Sequence, residues 1–252
     1  MHKIEMDEMS EEFFRLWAAA RDHLSRQVQG GIDSWLRCHP DPPFLDHLSF
    51  RLGNQNFFLR VHDADGRVEG PGTMSGLQHI AAENGGHACV LLMRRSGLGG
   101  DWEPIRPGWG LVDPKDGRTV DPFRLVTDER IPMTPWEVHS MGVQVVVQHL
   151  DQKGFQVTMF QDDPNVDPTL WFQNQNDQPE WVVVRTVTYP AERAERPANW
   201  ERIARNLAAV AHRGHFASVA LCSAYQPFEA DDEPPAPLWR GHGMHANFEG
   251  LE

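Results

Sequence analysis

The sequence predicts a mixed α/β or α+β protein in two parts, and three observations carry that prediction. Between Thr134 and Ser223, helix-period and strand-period apolar runs follow one another in the order helix, strand, strand, strand, helix, strand. The Pro-punctuated span Arg130-Ile131-Pro132-Met133 separates this stretch from an N-terminal half that also mixes helices with strands, which sets expected domains at 1–132 and 133–252. At 252 residues, with ordinary apolar content and nine tryptophans, the chain can bury the core of one large domain or two ordinary ones.

The C-terminal stretch opens on its best local signal. Thr134 can cap a helix, Pro135 fits the first helical position, and Glu137 can reach back to the Thr134 amide as a capping box. Val138, Met141 and Val145 recur on one helical face, with Val143, Val147 and Leu150 beside it, and Gly154 supplies a stop. Phe155–Gln161 alternates as a strand with two unlike faces. Asp167–Gln173 and Trp181–Val187 form a hairpin around Asn174-Gln175-Asn176-Asp177. Trp181-Val182-Val183-Val184 is apolar on both faces, as in a central strand. Pro197 opens a helix with Ile203, Leu207 and Val210 on one face, and Phe216–Leu221 is another buried strand.

In the N-terminal half, Ser10 caps a helix to Val28 whose stripe is Phe13, Trp17, Ala20, Leu24 and Val28. Asp41-Pro42-Pro43 is a connector. His47–Leu52 and Asn56–His62 are strands about a Gly53-Asn54 turn. Asp63-Ala64-Asp65-Gly66 resembles the start of a calcium loop, but the next acid, Glu69, comes too soon for an EF-hand, so it is a turn. Thr73 caps a helix to Glu83, and Ala88–Met93 is an apolar strand. Ser96-Gly97-Leu98-Gly99-Gly100 lacks the Lys-Ser/Thr of a phosphate loop and is a flexible connection. Trp109–Val112 and Arg118–Val120 form a hairpin. No internal repeat emerges from the residues, although the halves share a loosely similar order of elements.

A net charge of −13 disfavours nucleic acid and anionic membrane. Between Arg185 and Arg213, six arginines face three glutamates, which by default is a solvated helix face. No stretch has the roughly 20 apolar residues of a membrane helix, and the acidic N-terminus has no signal-peptide character. Cys38, Cys89 and Cys222 are unpatterned, as expected of reduced thiols in a cytoplasmic protein. The tail from Gln226 to Leu238, with Asp231-Asp232-Glu233, is a surface loop. Leu238-Trp239-Arg240 and Asn247-Phe248 then return to the body as an edge strand or lid.

The αβββαβ order over residues 134–223 resembles the core of the PD-(D/E)XK, or restriction-endonuclease-like, superfamily. That resemblance implies Mg²⁺ held by an acid on the second strand and by an acid two residues before a lysine on the third. Residues two apart on a strand point the same way and can share one metal. Carried over, Thr169 stands at the first acid, Val183 at the second and Arg185 at the lysine. Valine cannot bind a metal, and arginine stays protonated. The resemblance therefore implies a degenerate site with no catalytic residue and no cofactor. A migrated Mg²⁺ nuclease site would draw on Asp167 and Glu137, with Asp162 and Asp163 nearby.

Two histidine pairs, His212/His215 and His242/His245, are weak metal candidates, since no Cys or acid completes a ligand pattern. The leading expectation is a non-catalytic domain that binds a partner protein, or a small anion at Arg185 and Arg205. A second copy of the chain is among the partners allowed. A metal-dependent nuclease and a histidine-based metal module are the alternatives.

Overall fold

The computed structural model describes residues 9–252 apart from 33, 39–43, 98–99, 212, 227 and 229–233. The Asp41-Pro42-Pro43 connector and Asp231-Asp232-Glu233 lie outside the described residues, as do Leu98, Gly99 and the N-terminal residues 1–8. The class is mixed α/β, with two mixed sheets and five helices among the described residues. The chain divides into two compact units, Met1–Glu129 and Arg130–Glu252, and the division falls three residues before the expected one. No helix among the described residues is long and apolar enough to cross a membrane.

The N-terminal unit runs α1 (Glu11–Ser25), β1 (Trp35–Arg37), β2 (Leu48–Leu52), β3 (Gln55–Asp63), α2 (Met74–Glu83), β4 (His87–Arg95), β5 (Trp102–Pro104), β6 (Leu111–Val112) and α3 (Pro122–Leu125). Its sheet order is β1-β2-β3-β4-β5, with β6 also paired to β4. Only β3 and β4 are parallel, because α2 carries the chain back between them. Ser10 Oγ accepts the Phe13 N–H at 3.1 Å, and Glu11 and Glu12 sit in the first turn of α1. The α1 stripe of Phe13, Leu16, Trp17, Ala20 and Leu24 packs onto Leu48, Phe50, Phe57, Leu59 and Val61. β1 and β5, three residues each, are too short to show a periodicity in the sequence.

The C-terminal unit runs α4 (Pro135–Gln152), β7 (Gln156–Phe160), β8 (Leu170–Gln173), β9 (Pro179–Thr188), α5 (Trp200–Leu207), β10 (Arg213–Ser223) and β11 (Met244–Asn247). Its sheet order is β11-β10-β9-β8-β7, and only β9 and β10 are parallel. β9 is central, as its doubly apolar run predicts, and the returning tail adds β11 as an edge strand. The stripe of α4 is rotated from expectation. His139, Val143, Val146 and Leu150 are buried, while Val138, Met141 and Val145 pack at its margin. α5 is shorter than its apolar pattern implies, ending at Leu207 and leaving Val210 exposed.

The absence of a repeat is corrected by the topology. Each unit is a helix, three antiparallel strands, a helix, a fourth strand parallel to the third and a fifth antiparallel to the fourth. Hydrogen bonds fix the correspondence. His47 N–H donates to Leu59 O, and Thr169 N–H to Val182 O. The side chains of the same two residues also accept equivalent bonds: Val61 N–H donates to His47 Nδ1 at 2.9 Å, and Val184 N–H to Thr169 Oγ1 at 3.0 Å. His47 thus matches Thr169, Arg60 matches Val183 and His62 matches Arg185. Residue identity diverges while the backbone pairing does not, which hides the repeat from the sequence.

Candidate functional site

The expected nuclease positions are all built into the C-terminal unit, and each has a structural occupation. Thr169, just before β8, uses its hydroxyl on the β9 backbone through the Val184 bond and is buried. Val183 is fully buried beside Trp181, Ile203 and Ala211, on the sheet face that α5 covers. Arg185, two residues on, shares that face. It forks onto Asp167, with Nη1 to Oδ1 at 2.9 Å and Nη2 to Oδ2 at 2.7 Å. Nη1 also donates to Val184 O at 2.9 Å. Arg185 and Asp167 therefore satisfy each other's charge.

Glu137 forms the predicted capping box: its amide donates to Thr134 Oγ1 at 3.3 Å, and its Oε2 accepts the Thr134 N–H at 2.9 Å. The same carboxylate also binds Arg240 of the returning tail. Arg240 Nε lies 3.0 Å from both carboxylate oxygens, and Nη2 lies 2.8 Å from Oε2. The tail is held there by backbone bonds, Met133 N–H to Leu238 O and Arg240 N–H to Ile131 O. Both side chains of the pair are buried, at 0% and 2% exposure. Asp163 forms the turn expected of it, its Oδ1 accepting the Asn165 N–H at 2.9 Å.

Beside these pairs lies a cavity of about 780 Å³. Its walls are mainly apolar, including Met133, Val138, Tyr189 and Leu238. Its polar members include His139, Arg185 and Thr186. His139 is buried, and its Nε2 has no hydrogen-bond partner among the described residues; the same is true of Thr186 Oγ1. Burial holds His139 below the ordinary histidine range, against the pull of the Asp162 carboxylate. A smaller cavity, about 380 Å³, joins Asn165 and Asp167 to Asn199, Arg202 and Asn206 around α5. Arg205 is exposed and lines neither.

The three candidate histidines among the described residues, His215, His242 and His245, do not converge. His215 is buried against Glu180, with Nε2 2.6 Å from Oε2. Burial opposes the Glu180 charge, but bonds from Asn174 and His215 hold that carboxyl below its usual range. His245 lies opposite Cys222 on β11, seven residues along β10 from His215 and therefore about 23 Å away at strand rise. His242 contacts the Tyr225 hydroxyl at 3.0 Å, and His212 lies outside the described residues. Among the described residues no three His, Cys, Asp or Glu side chains gather as a metal site.

Arg240 and His139 belong to this candidate site, and the sequence did not single them out. Arg240 has no local signal, since its partner is 103 residues away. His139 had one: it keeps the spacing of Val143, Val146 and Leu150 on the buried stripe, where a histidine is out of place.

The C-terminal unit is thus a mixed-sheet α/β domain with an apolar cleft beside two arginine–carboxylate pairs. Residues 136–252 match the family model described as Domain of unknown function (DUF8840), over less than half of the chain. No curated protein and no solved structure matches the chain.

Proposed function

We propose that the C-terminal unit is a non-catalytic, restriction-endonuclease-like domain whose cleft takes up an apolar segment of a partner protein. The order helix, three strands, helix, strand supports the family resemblance, as does the mixed sheet with its one parallel pair. The observation that carries the non-catalytic reading is the pairing of both candidate acids. Asp167 and Glu137 each present their carboxylate oxygens to an arginine, and a metal would have to displace charge-assisted bonds from both. The apolar walls favour a protein segment over an anion, and a charge of −13 disfavours a nucleic-acid backbone. Cys38, Cys89 and Cys222 are free thiols, and burial pushes Cys89 up to about 12, which suits an inert thiol in a reducing compartment such as the cytoplasm.

The test is cleavage of plasmid DNA and of RNA, with Mg²⁺ and then Mn²⁺, by wild type and Asp167→Ala. The expected result is no cleavage by either protein. Cleavage by wild type that disappears in the variant would overturn the proposal in favour of a migrated Mg²⁺ site. The binding half is checked by cross-linking with a photoreactive amino acid at Val138. Adducts to a protein are expected, and they should be lost when Leu238→Glu places a charge in the cleft.

A further inference from the structure

We propose that the N-terminal unit holds a site for a small oxyanion, the phosphate or carboxylate of a small molecule, built on Arg60 and His62. The proposal is independent of how the C-terminal cleft functions. Alternation along β3 sends Phe57, Leu59 and Val61 into the core under α1. Arg60 and His62 therefore point to the other face. There they line a cavity of about 630 Å³ at the end of β3, together with Asp63, Gly70, Gly72 and Met74.

Arg60 is only 4% exposed, yet its Nε and Nη1 have no hydrogen-bond partner among the described residues. Its Nη2 makes one long bond, 3.3 Å to Gly70 O. His62 Nε2 is buried and equally without a partner. Buried donors are almost always satisfied, because one left open forfeits its hydration without replacement. Arg60 lines the cavity with these donors unbonded, which points to a missing acceptor. The guanidinium fork matches two oxygens of a phosphate or carboxylate, and His62, two residues on, can address the same group.

The surrounding charges agree. Asp46 acts on Arg60 but is also shared with Arg37, at 3.5 Å, so one buried carboxylate faces two guanidiniums. The Asp63 carboxylate is spent on its own loop, accepting the N–H groups of Asp65, Arg67 and Val68. Glu69 lines the cavity but is exposed to solvent. Met74, the first residue of α2, also lines the cavity, and the first turn of that helix carries no acid. Gly72, at φ +81°, closes the wall; a Cβ there would lie 2.9 Å from Arg60 Nη1.

The repeat supplies a comparison inside the same chain. At the matching positions of the C-terminal unit, Val183 is packed and Arg185 is closed by Asp167. At these matched positions, among the described residues, unbonded donors occur only in the N-terminal unit.

The full chain is titrated by calorimetry and thermal melting with inorganic phosphate and with acetate, against chloride at matched ionic strength. Saturable binding and a raised melting temperature are expected with at least one of the two, and the stronger identifies the group. Arg60→Lys and His62→Gln should each weaken that binding about ten-fold or more, the loss of one charge-assisted bond. If Arg60→Lys fails to fold by circular dichroism, His62→Gln, at a partly exposed position, decides. No shift with either anion beyond chloride would overturn the proposal, as would affinity unchanged in the folded variants.

Discussion

Replacing Arg240 with methionine isolates the interaction that ties the returning tail to α4. The Glu137 carboxylate accepts from Thr134 N–H and from Arg240 Nε and Nη2, all at 3.0 Å or less, with the side chains 0% and 2% exposed. Methionine fills similar volume but takes the guanidinium away from a buried carboxylate. Breaking a buried pair by removing one partner costs about 3–5 kcal/mol, because the remaining charge is uncompensated. Urea unfolding of the C-terminal unit should then shift its midpoint by about 2 M, taking 4 kcal/mol and a slope near 2 kcal/mol per M. The double variant Glu137→Gln/Arg240→Met removes the orphaned charge and should recover more than half of that loss, although the Thr134 amide keeps an acceptor. Intrinsic fluorescence and far-UV circular dichroism followed together would show whether the two units unfold separately. A loss below about 1 kcal/mol in Arg240→Met would refute the reasoning, since so small a cost belongs to a solvated pair.

Three further outcomes are expected. Gly142→Ala should destabilise by about 1–2 kcal/mol despite alanine's better helix propensity, because its Cβ would fall 2.1 Å from Thr186 Oγ1; adding Thr186→Ala should reverse the loss in thermal melts. His47 accepts the Val61 N–H on Nδ1 and donates Nε2–H to Pro71 O, so protonation breaks a buried bond, and burial lowers it to about 3. A depressed histidine pKa means the unfolded chain takes up the proton first, so stability falls with pH below about 6.5, by about 2 kcal/mol at pH 5. Denaturant titrations across pH should show that slope, and His47→Gln should flatten it by one proton. Arg185→Lys replaces a fork with a point charge and should cost about 1 kcal/mol in urea unfolding, discounted for partial exposure, with Asp167→Asn/Arg185→Met milder than either single change.

The local rules settled much of this molecule before any coordinates. Thr134, Pro135 and Glu137 specify the start of α4 through one capping box, and Gly53-Asn54 specifies the β2–β3 turn. The Asp63 loop is a turn because one carboxylate collects three amides of the next five residues. The doubly apolar Trp181–Val184 run places β9 at the sheet centre, since only a strand covered on both faces tolerates it. Those features depend on neighbours within a few residues, and the residues carry them. The tertiary structure decided what local pattern cannot encode. It brought Arg240 to Glu137 across 103 residues and spent Arg185 on Asp167. It kept His215 and His245 apart, and it revealed two units with one strand pairing beneath unlike side chains. Backbone hydrogen bonds are indifferent to side-chain identity, so a topology can persist where sequence does not. Whether a charged side chain is open or occupied depends on which distant segment folds against it.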